Sequence, residues 1–284
     1  MTVHSNTMKD EYHRLAQHVY DKVLGSNENT PTSPYYYYWI GLAGGPGSGK
    51  TTVATAVADR INDRFQNHHA SGTNTKSEED VCIVVPMDGY HYSQHDLVSM
   101  HGEDAMLQRG KPFTFDAESL VSSISNAQKL QQEYLSQSQD NTNNNGDEKQ
   151  SKELCTFPVY DRNISDPVPN GLTLRSHHRI VIVEGLYVLH KHDPRFAPLL
   201  HMWDETWFVK APTVKLQKER LVQRSLKTWS DKKAEQWGPG KEGATKRVET
   251  NDMTNLQILA YAEDFADQVI VTHWHILLQI YNLL

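Results

Sequence analysis

The stretch Gly44-Gly45-Pro46-Gly47-Ser48-Gly49-Lys50-Thr51-Thr52 has the residue types and the spacing to hold phosphate. Its glycines let the backbone curl so that successive amide N–H groups point at phosphate oxygens. An apolar run, Tyr38–Ala43, precedes it, and a helical pattern, Val53–Ile61, follows it. The order is therefore strand, glycine loop, helix. The helix start adds unpaired amides and the positive end of its dipole. Lys50 can reach the β- and γ-phosphates, and the Thr51 hydroxyl can ligate magnesium. A chance lysine in a glycine-rich turn would not have this strand and helix on the required sides. The loop predicts a bound nucleoside triphosphate.

A phosphate loop alone does not separate kinases from GTPases, motors or transporters. The chain has no Asn-Lys-x-Asp guanine signature and no Leu-Ser-Gly-Gly-Gln stretch, and 284 residues is short for a motor. A small-molecule kinase remains, which needs magnesium, a base near the acceptor hydroxyl and cations on the transferring group. Asp88 follows the apolar run Val81–Val85 and precedes Gly89. Glu184 ends a second run, Arg179–Val183, again before a glycine. Ligands of open α/β sheets lie beyond the carboxyl ends of strands, where both carboxylates fall. One can take a proton and the other orient magnesium-bound water, and the residues alone leave open which does which. Arg220 and Arg224 are four apart and share a helix face. Beyond them Lys227–Lys246, rich in Lys and Gly, reads as a mobile cationic lid that would exclude water. Arg109, Lys111, Tyr160, Asp161 and Arg162, with Tyr90 and His91 beside Asp88, are candidates to line an acceptor pocket. His91, His95 and His101 form no zinc motif with either cysteine.

The elements that must position these groups alternate. Helices are expected at Met8–Leu24, Thr52–Phe65, Ala117–Tyr134, Ala211–Arg224 and Thr254–Asp264, with a shorter one at Leu97–Arg109. Strands are expected at Tyr35–Ala43, Val81–Val85, Arg179–Val183, Thr206–Lys210 and Gln268–Val271. That alternation predicts a three-layer α/β/α phosphate-loop fold with a five-stranded parallel sheet. Leu154–Tyr160 looks extended and Asp161–Pro169 reads as a loop. The chain divides into an N-terminal helix and linker (1–34), a kinase domain (35–272) and a tail (273–284). Inside the domain lie a polar Gln/Asn/Ser-rich insertion at about 135–152, expected to be disordered, and a lid at about 225–249. A net charge of −7 argues against nucleic acid as the partner. No apolar stretch is long enough to span a bilayer, no leader is evident, and the two cysteines read as buried thiols. A cytoplasmic protein is expected, with a homodimer among the arrangements open to it.

Several blocks together resemble the P-loop kinase superfamily that contains uridine kinase, phosphoribulokinase and bacterial-type pantothenate kinase. They are the glycine loop, Pro86–His91 (PMDGYH), Arg109–Asp116 (RGKPFTFD), Phe157–Pro169 (FPVYDRNISDPVP), Val181–Leu189 (VIVEGLYVL), Arg220–Arg224 (RLVQR) and Asn251–Asn255 (NDMTN). The pattern is most similar to the fructose-transport-system-kinase-like branch, which includes fungal ATP-dependent kinases. The resemblance covers roughly Tyr35–Val271. It implies ATP with Mg²⁺ and transfer of the γ-phosphate to a hydroxyl of a sugar-, pantothenate- or nucleoside-like metabolite. It also implies Asp88 near the acceptor, Glu184 near the metal, and Arg220 and Arg224 at the lid. Uridine kinases follow their Tyr-Asp pair with a histidine; here Tyr160-Asp161 continues as Arg162-Asn163, which speaks against a pyrimidine nucleoside. A nucleotide-binding regulatory protein and a stand-alone ATPase are the competing expectations.

Overall fold

The computed structural model describes residues 7–24, 36–70, 79–140 and 151–273. Its centre is a parallel sheet in the order β2 (Cys82–Pro86), β5 (Ile180–Gly185), β1 (Tyr38–Gly44), β6 (Glu205–Lys210) and β7 (Gln268–Val271). Every residue of β1 and β5 is buried, as expected of strands covered on both faces. The two-residue side-chain period divides them between two cores. Trp39, Ala43, Val181 and Val183 face one, while Ile40, Leu42, Ile180 and Ile182 face the other. The first core is covered by α4 (Ala117–Asp140) and α8 (Met253–Leu259), the second by α1 (Met8–Val23) and α2 (Lys50–Ala70). This is the expected three-layer architecture.

The N-terminal helix belongs to that core. Thr7 and Asp10 form a reciprocal capping box at its start, and Leu15, Val19 and Val23 pack with Val53, Val57 and Ile61 of α2. A buried carboxylate, Glu205 at the start of β6, fastens the helix to the sheet. It accepts hydrogen bonds from Tyr38 Oη (2.7 Å) and Trp207 Nε1 (2.8 Å). The His18 ring (3.0 Å) and Lys22 Nζ (3.4 Å) reach it from α1. Burial pushes this carboxyl up, but the bonds from Trp207, Tyr38 and His18 outweigh it and hold the pKa below the usual value. The stability it contributes is present above the ordinary value of 4.5 and is lost as pH falls through the lowered one. Glu205→Gln turns an acceptor toward four donors into a mixed amide, and about 2 kcal/mol of stability should be lost at pH 7. Thermal melts should show that difference from the native chain shrinking as the pH is taken below the carboxylate range.

Two segments depart from the expected elements. Residues 161–169 do not form a loop throughout. Asp166–Arg175 is a strand, β4, paired antiparallel with β3 (Glu153–Asp161) in a separate two-stranded hairpin. Pro167 and Pro169 hide it from a sequence reading, yet a strand with one open edge tolerates prolines. The helix α4 runs to Asp140, through the first residues of the expected polar insertion. Residues 141–150 of that insertion, the linker residues 25–34 and the tail residues 274–284 lie outside the described residues. Among the described residues no helix is long and apolar enough to cross a membrane. The remaining helices are α3 (Gln94–His101), α5 (Val214–Leu226), α6 (Asp231–Trp237) and α7 (Gly240–Arg247). The last two fill most of the predicted lid.

Candidate active site

The glycine loop joins the end of β1 to the first residue of α2, Lys50. Gly47 (φ 70°) and Gly49 (φ 96°) take left-handed conformations that side chains disfavour. The curl is held from outside. Gln217 Nε2 of α5 donates to the Pro46 carbonyl (2.7 Å), and the Thr272 hydroxyl donates to the Ser48 carbonyl (2.8 Å). With those carbonyls engaged outward, the concave side is left for a ligand. A cavity of about 900 Å³ opens there, between Lys50, Thr51 and Thr52 and the facing side of α5. Lys215, Lys218, Arg220 and Arg224 of α5 line it, with Lys227 and Lys241 beyond that helix. Six cations around a phosphate loop suit a polyanion, and the volume suits a nucleotide.

Sheet order and register place the carboxylates. The strands β2, β5 and β1 are adjacent and parallel, with Pro86 and Leu42 both level with Glu184. Asp88 and Gly44 therefore leave the same edge two residues further on. Glu184 is buried, and its Oε1 accepts a hydrogen bond from the Thr51 hydroxyl at 2.9 Å. Its other oxygen, Oε2, is buried without a hydrogen-bond partner among the described residues. Burial pushes the Glu184 carboxyl up. Lys50 opposes the rise, Asp88 adds to it, and the Thr51 bond and Arg162 oppose it in turn. Thus Lys50, Thr51, Asp88, Arg162 and Glu184 share one neighbourhood.

Asp88 lies in a 3₁₀ turn, Met87–Tyr90, rather than at a plain strand end. Residues three apart eclipse each other in such a turn. Met87 and Tyr90 form its inner pair and are buried in the core. Asp88 and His91 are each partly exposed. Tyr90 is 4% exposed and belongs to the same core cluster as Phe115 and Phe157. His91 stacks on Phe115 (3.8 Å between centroids) and tilts against Tyr160 (5.4 Å). Burial lowers its pKa to about 4, with Asp88 opposing and Arg109 assisting, so the ring is neutral at pH 7. The Arg109 guanidinium lies over Tyr160 and donates to Asp166 Oδ1 (3.2 Å) and the Tyr92 carbonyl (3.0 Å). The structure thus gathers Asp88, His91, Arg109 and Tyr160, with exposed Arg162 at the hairpin tip. Lys111 Nζ is engaged by Gln108 (2.9 Å). Asp161 Oδ1 accepts from the Asn163 amide (2.7 Å), which shapes the turn beneath Arg162.

This geometry has relatives. No family model matches the chain. Over 218 residues it is 28% identical to a Schizosaccharomyces pombe protein named as a uridine kinase, covering 76% of this chain and 75% of that one. Over 128 residues it is 36% identical to the ATP-dependent kinase YFH7 of Kluyveromyces lactis, covering 40% of this chain and 36% of that protein. The solved structure of a Silicibacter kinase named for a fructose transport system superposes with a TM-score of 0.60 at 21% identity. That superposition covers 91% of this chain and 98% of the other. The chain is similar in sequence to these kinases and shares the P-loop kinase fold.

For a chain of this kind the donor set around Thr51 can be tested against magnesium. Mg²⁺ in nucleotide enzymes keeps several waters and takes one or two carboxylates plus phosphate oxygens. A hydroxyl beside a buried carboxylate whose second oxygen lacks a partner fits that demand. No cluster of three His, Cys, Asp or Glu side chains able to hold a metal occurs among the described residues. Sequence reasoning missed the residues that act from behind. Gln217 and Thr272 brace the loop, and Asn255 Nδ2 donates to the Gly110 carbonyl (2.9 Å) behind Arg109. For Gln217 and Asn255 the available signal was a polar side chain at a buried helical position, legible only after the helix has been packed; Thr272, just past β7, gave none.

Proposed function

We propose that the protein transfers the γ-phosphoryl group of ATP to a hydroxyl of a small metabolite, with Mg²⁺, in the cytoplasm. The observation that carries the reading is the 2.9 Å contact between Thr51 of the phosphate loop and Glu184, with Lys50 and Asp88 around the same carboxylate. Nucleotide, metal and base positions thereby fall within one edge of the sheet. Two free cysteines, on β2 and β3, accord with a reducing compartment.

In this mechanism the curled loop and Lys50 hold the β- and γ-phosphates. Thr51 and Glu184 would hold the magnesium ion, Glu184 partly through water. When bound, that ion neutralises phosphate charge and orients the γ-phosphoryl group. Asp88 receives the proton of the acceptor hydroxyl as the new O–P bond forms and the bond to the ADP oxygen breaks. Arg220 and Arg224, both on the cavity wall, balance charge that spreads over the transferring oxygens. Arg109, Tyr160 and Arg162 border the acceptor. Neutral His91 supports the stack without adding charge.

The test is a panel of sugars, pantothenate and nucleosides incubated with γ-labelled ATP. Label should move to at least one acceptor with the native chain. Lys50→Ala should lower that transfer by ~10³-fold or more, because one charge-stabilising contact of this kind is worth about that much. If ATP binds and no acceptor in a broad panel is labelled, the regulatory reading takes over. A uridine hit would overturn the inference drawn from Arg162.

A further inference from the structure

Asp252 has no task in the mechanism above, yet its surroundings are unusual. It ends a π-helical turn, Val248–Asp252, between α7 and α8. Such turns are rare and occur frequently at functional sites. The Asp252 side chain is only 13% exposed. Two arginines approach it from different elements. Arg224, in the last turn of α5, comes to 3.9 Å, and Arg247, at the end of α7, to 3.5 Å. Lys50 acts electrostatically on the same carboxylate. The asparagines on either side of Asp252 serve another part of the molecule. Asn251 donates to the Leu107 carbonyl and Asn255 to the Gly110 carbonyl, and these carbonyls bracket Arg109.

We propose that Asp252 is a positioning residue, which presents Arg224 and Arg247 to the terminal phosphate of the nucleotide and links that pair to the loop bearing Arg109. The proposal rests on the nucleotide reading of the cavity. A guanidinium has five donors in a planar fork, so a carboxylate on one side orients the plane and leaves other donors for phosphate. The separations of 3.5 and 3.9 Å exceed hydrogen-bond length. Asp252 therefore attracts both arginines in this state without using up their donors. It also offsets the repulsion that would drive two arginines away from Lys50. Arg224 has the freedom to leave, since its side chain is 61% exposed. The hydrogen bonds of Asn251 and Asn255 give the turn a fixed position relative to the acceptor loop.

The experiment needs no acceptor. Dissociation constants for ADP and for a non-cleavable β,γ-imido ATP analogue are measured by calorimetry with magnesium. The full chain is used, as native protein and as Asp252→Asn, Asp252→Glu, Arg247→Gln and the Asp252→Asn/Arg247→Gln double variant. The ratio of the two constants reports recognition of the terminal phosphate. Asp252→Asn and Arg247→Gln should each reduce the preference for the analogue by about tenfold, with ADP affinity little changed. The double variant should lose no more than Asp252→Asn alone, because that substitution already withdraws the support of Arg247 along with that of Arg224. Asp252→Glu should keep most of the preference. An unchanged ratio in Asp252→Asn would reduce the residue to a structural one and overturn the proposal. A raised preference would overturn it too, by showing that the carboxylate competes with phosphate for the arginines. Melting curves check the fold, and if Asp252→Asn does not fold, partly exposed Arg247→Gln decides by the same ratio. Absence of ADP binding by the native chain would instead defeat the nucleotide reading beneath the proposal.

Discussion

Asp88→Asn is expected to slow phosphoryl transfer by ~10²–10⁴-fold, the usual worth of a positioned general base, with nucleotide affinity preserved. On the proposed reading the loop, Lys50 and the cations of α5 hold the nucleotide, and none of them bonds Asp88, so the affinity should survive. The rate should fall because other carboxylates nearby are engaged. Glu184 accepts from Thr51, Asp161 accepts from the Asn163 amide, and Asp166 is taken by Arg109. His91 cannot readily substitute, since burial holds it stacked on Phe115 and tilted against Tyr160 with a pKa of about 4. Asparagine keeps the volume and the turn, so the loss would be chemical rather than structural. Single-turnover transfer of labelled phosphate measures it, beside calorimetry with ADP. Transfer at the native rate would remove Asp88 from the role of base.

Gly89→Ala should be equally damaging for a different reason. A Cβ built on Gly89 would lie 2.1 Å from the Pro158 carbonyl oxygen and 2.5 Å from its carbon. These are backbone atoms of β3, so no rotamer change relieves the clash. The turn must move away from the hairpin, or the hairpin from the turn. Asp88 and His91 sit on one partner and Tyr160 and Arg162 on the other, so separation opens the acceptor side directly. Forcing a methyl into such a contact costs ~1–3 kcal/mol, and a displacement of about 1 Å at reacting groups can cost ~10²-fold in rate. The two readouts are the melting temperature and kcat for the acceptor found in the panel. Nucleotide affinity should stay near native, because the glycine loop lies on another strand. A variant with native melting and native kcat would show that the hairpin yields freely.

The fold was legible because its signals are local. The Val81–Val85 and Arg179–Val183 runs have no polar alternation, which only strands buried on both faces allow. The glycine loop announces itself by a spacing that one short segment contains in full. Asp88 and Glu184 could be picked out because each stands between an apolar run and a glycine. The antiparallel hairpin was not legible, because Pro167 and Pro169 look like loop residues until β4 is seen to have an open edge. The burial of Tyr90 was not legible either, because a 3₁₀ turn rather than a plain strand end carries it.

The amino-acid order by itself determined a phosphate loop between strand and helix, the alternation that makes a parallel sheet, and two carboxylates at strand ends. Each depends on neighbours in the chain, through backbone freedom and side-chain period. The tertiary structure decided which strands lie side by side, and so that Glu184 meets Thr51 and that Asp88 leaves the same edge. It also decided that Gln217 and Thr272 brace the loop, that Glu205 fastens the N-terminal helix, and that Asp252 gathers Arg224 and Arg247. Those contacts join residues far apart in sequence. Their energies depend on distance and burial after packing, and residue spacing along the chain does not encode them.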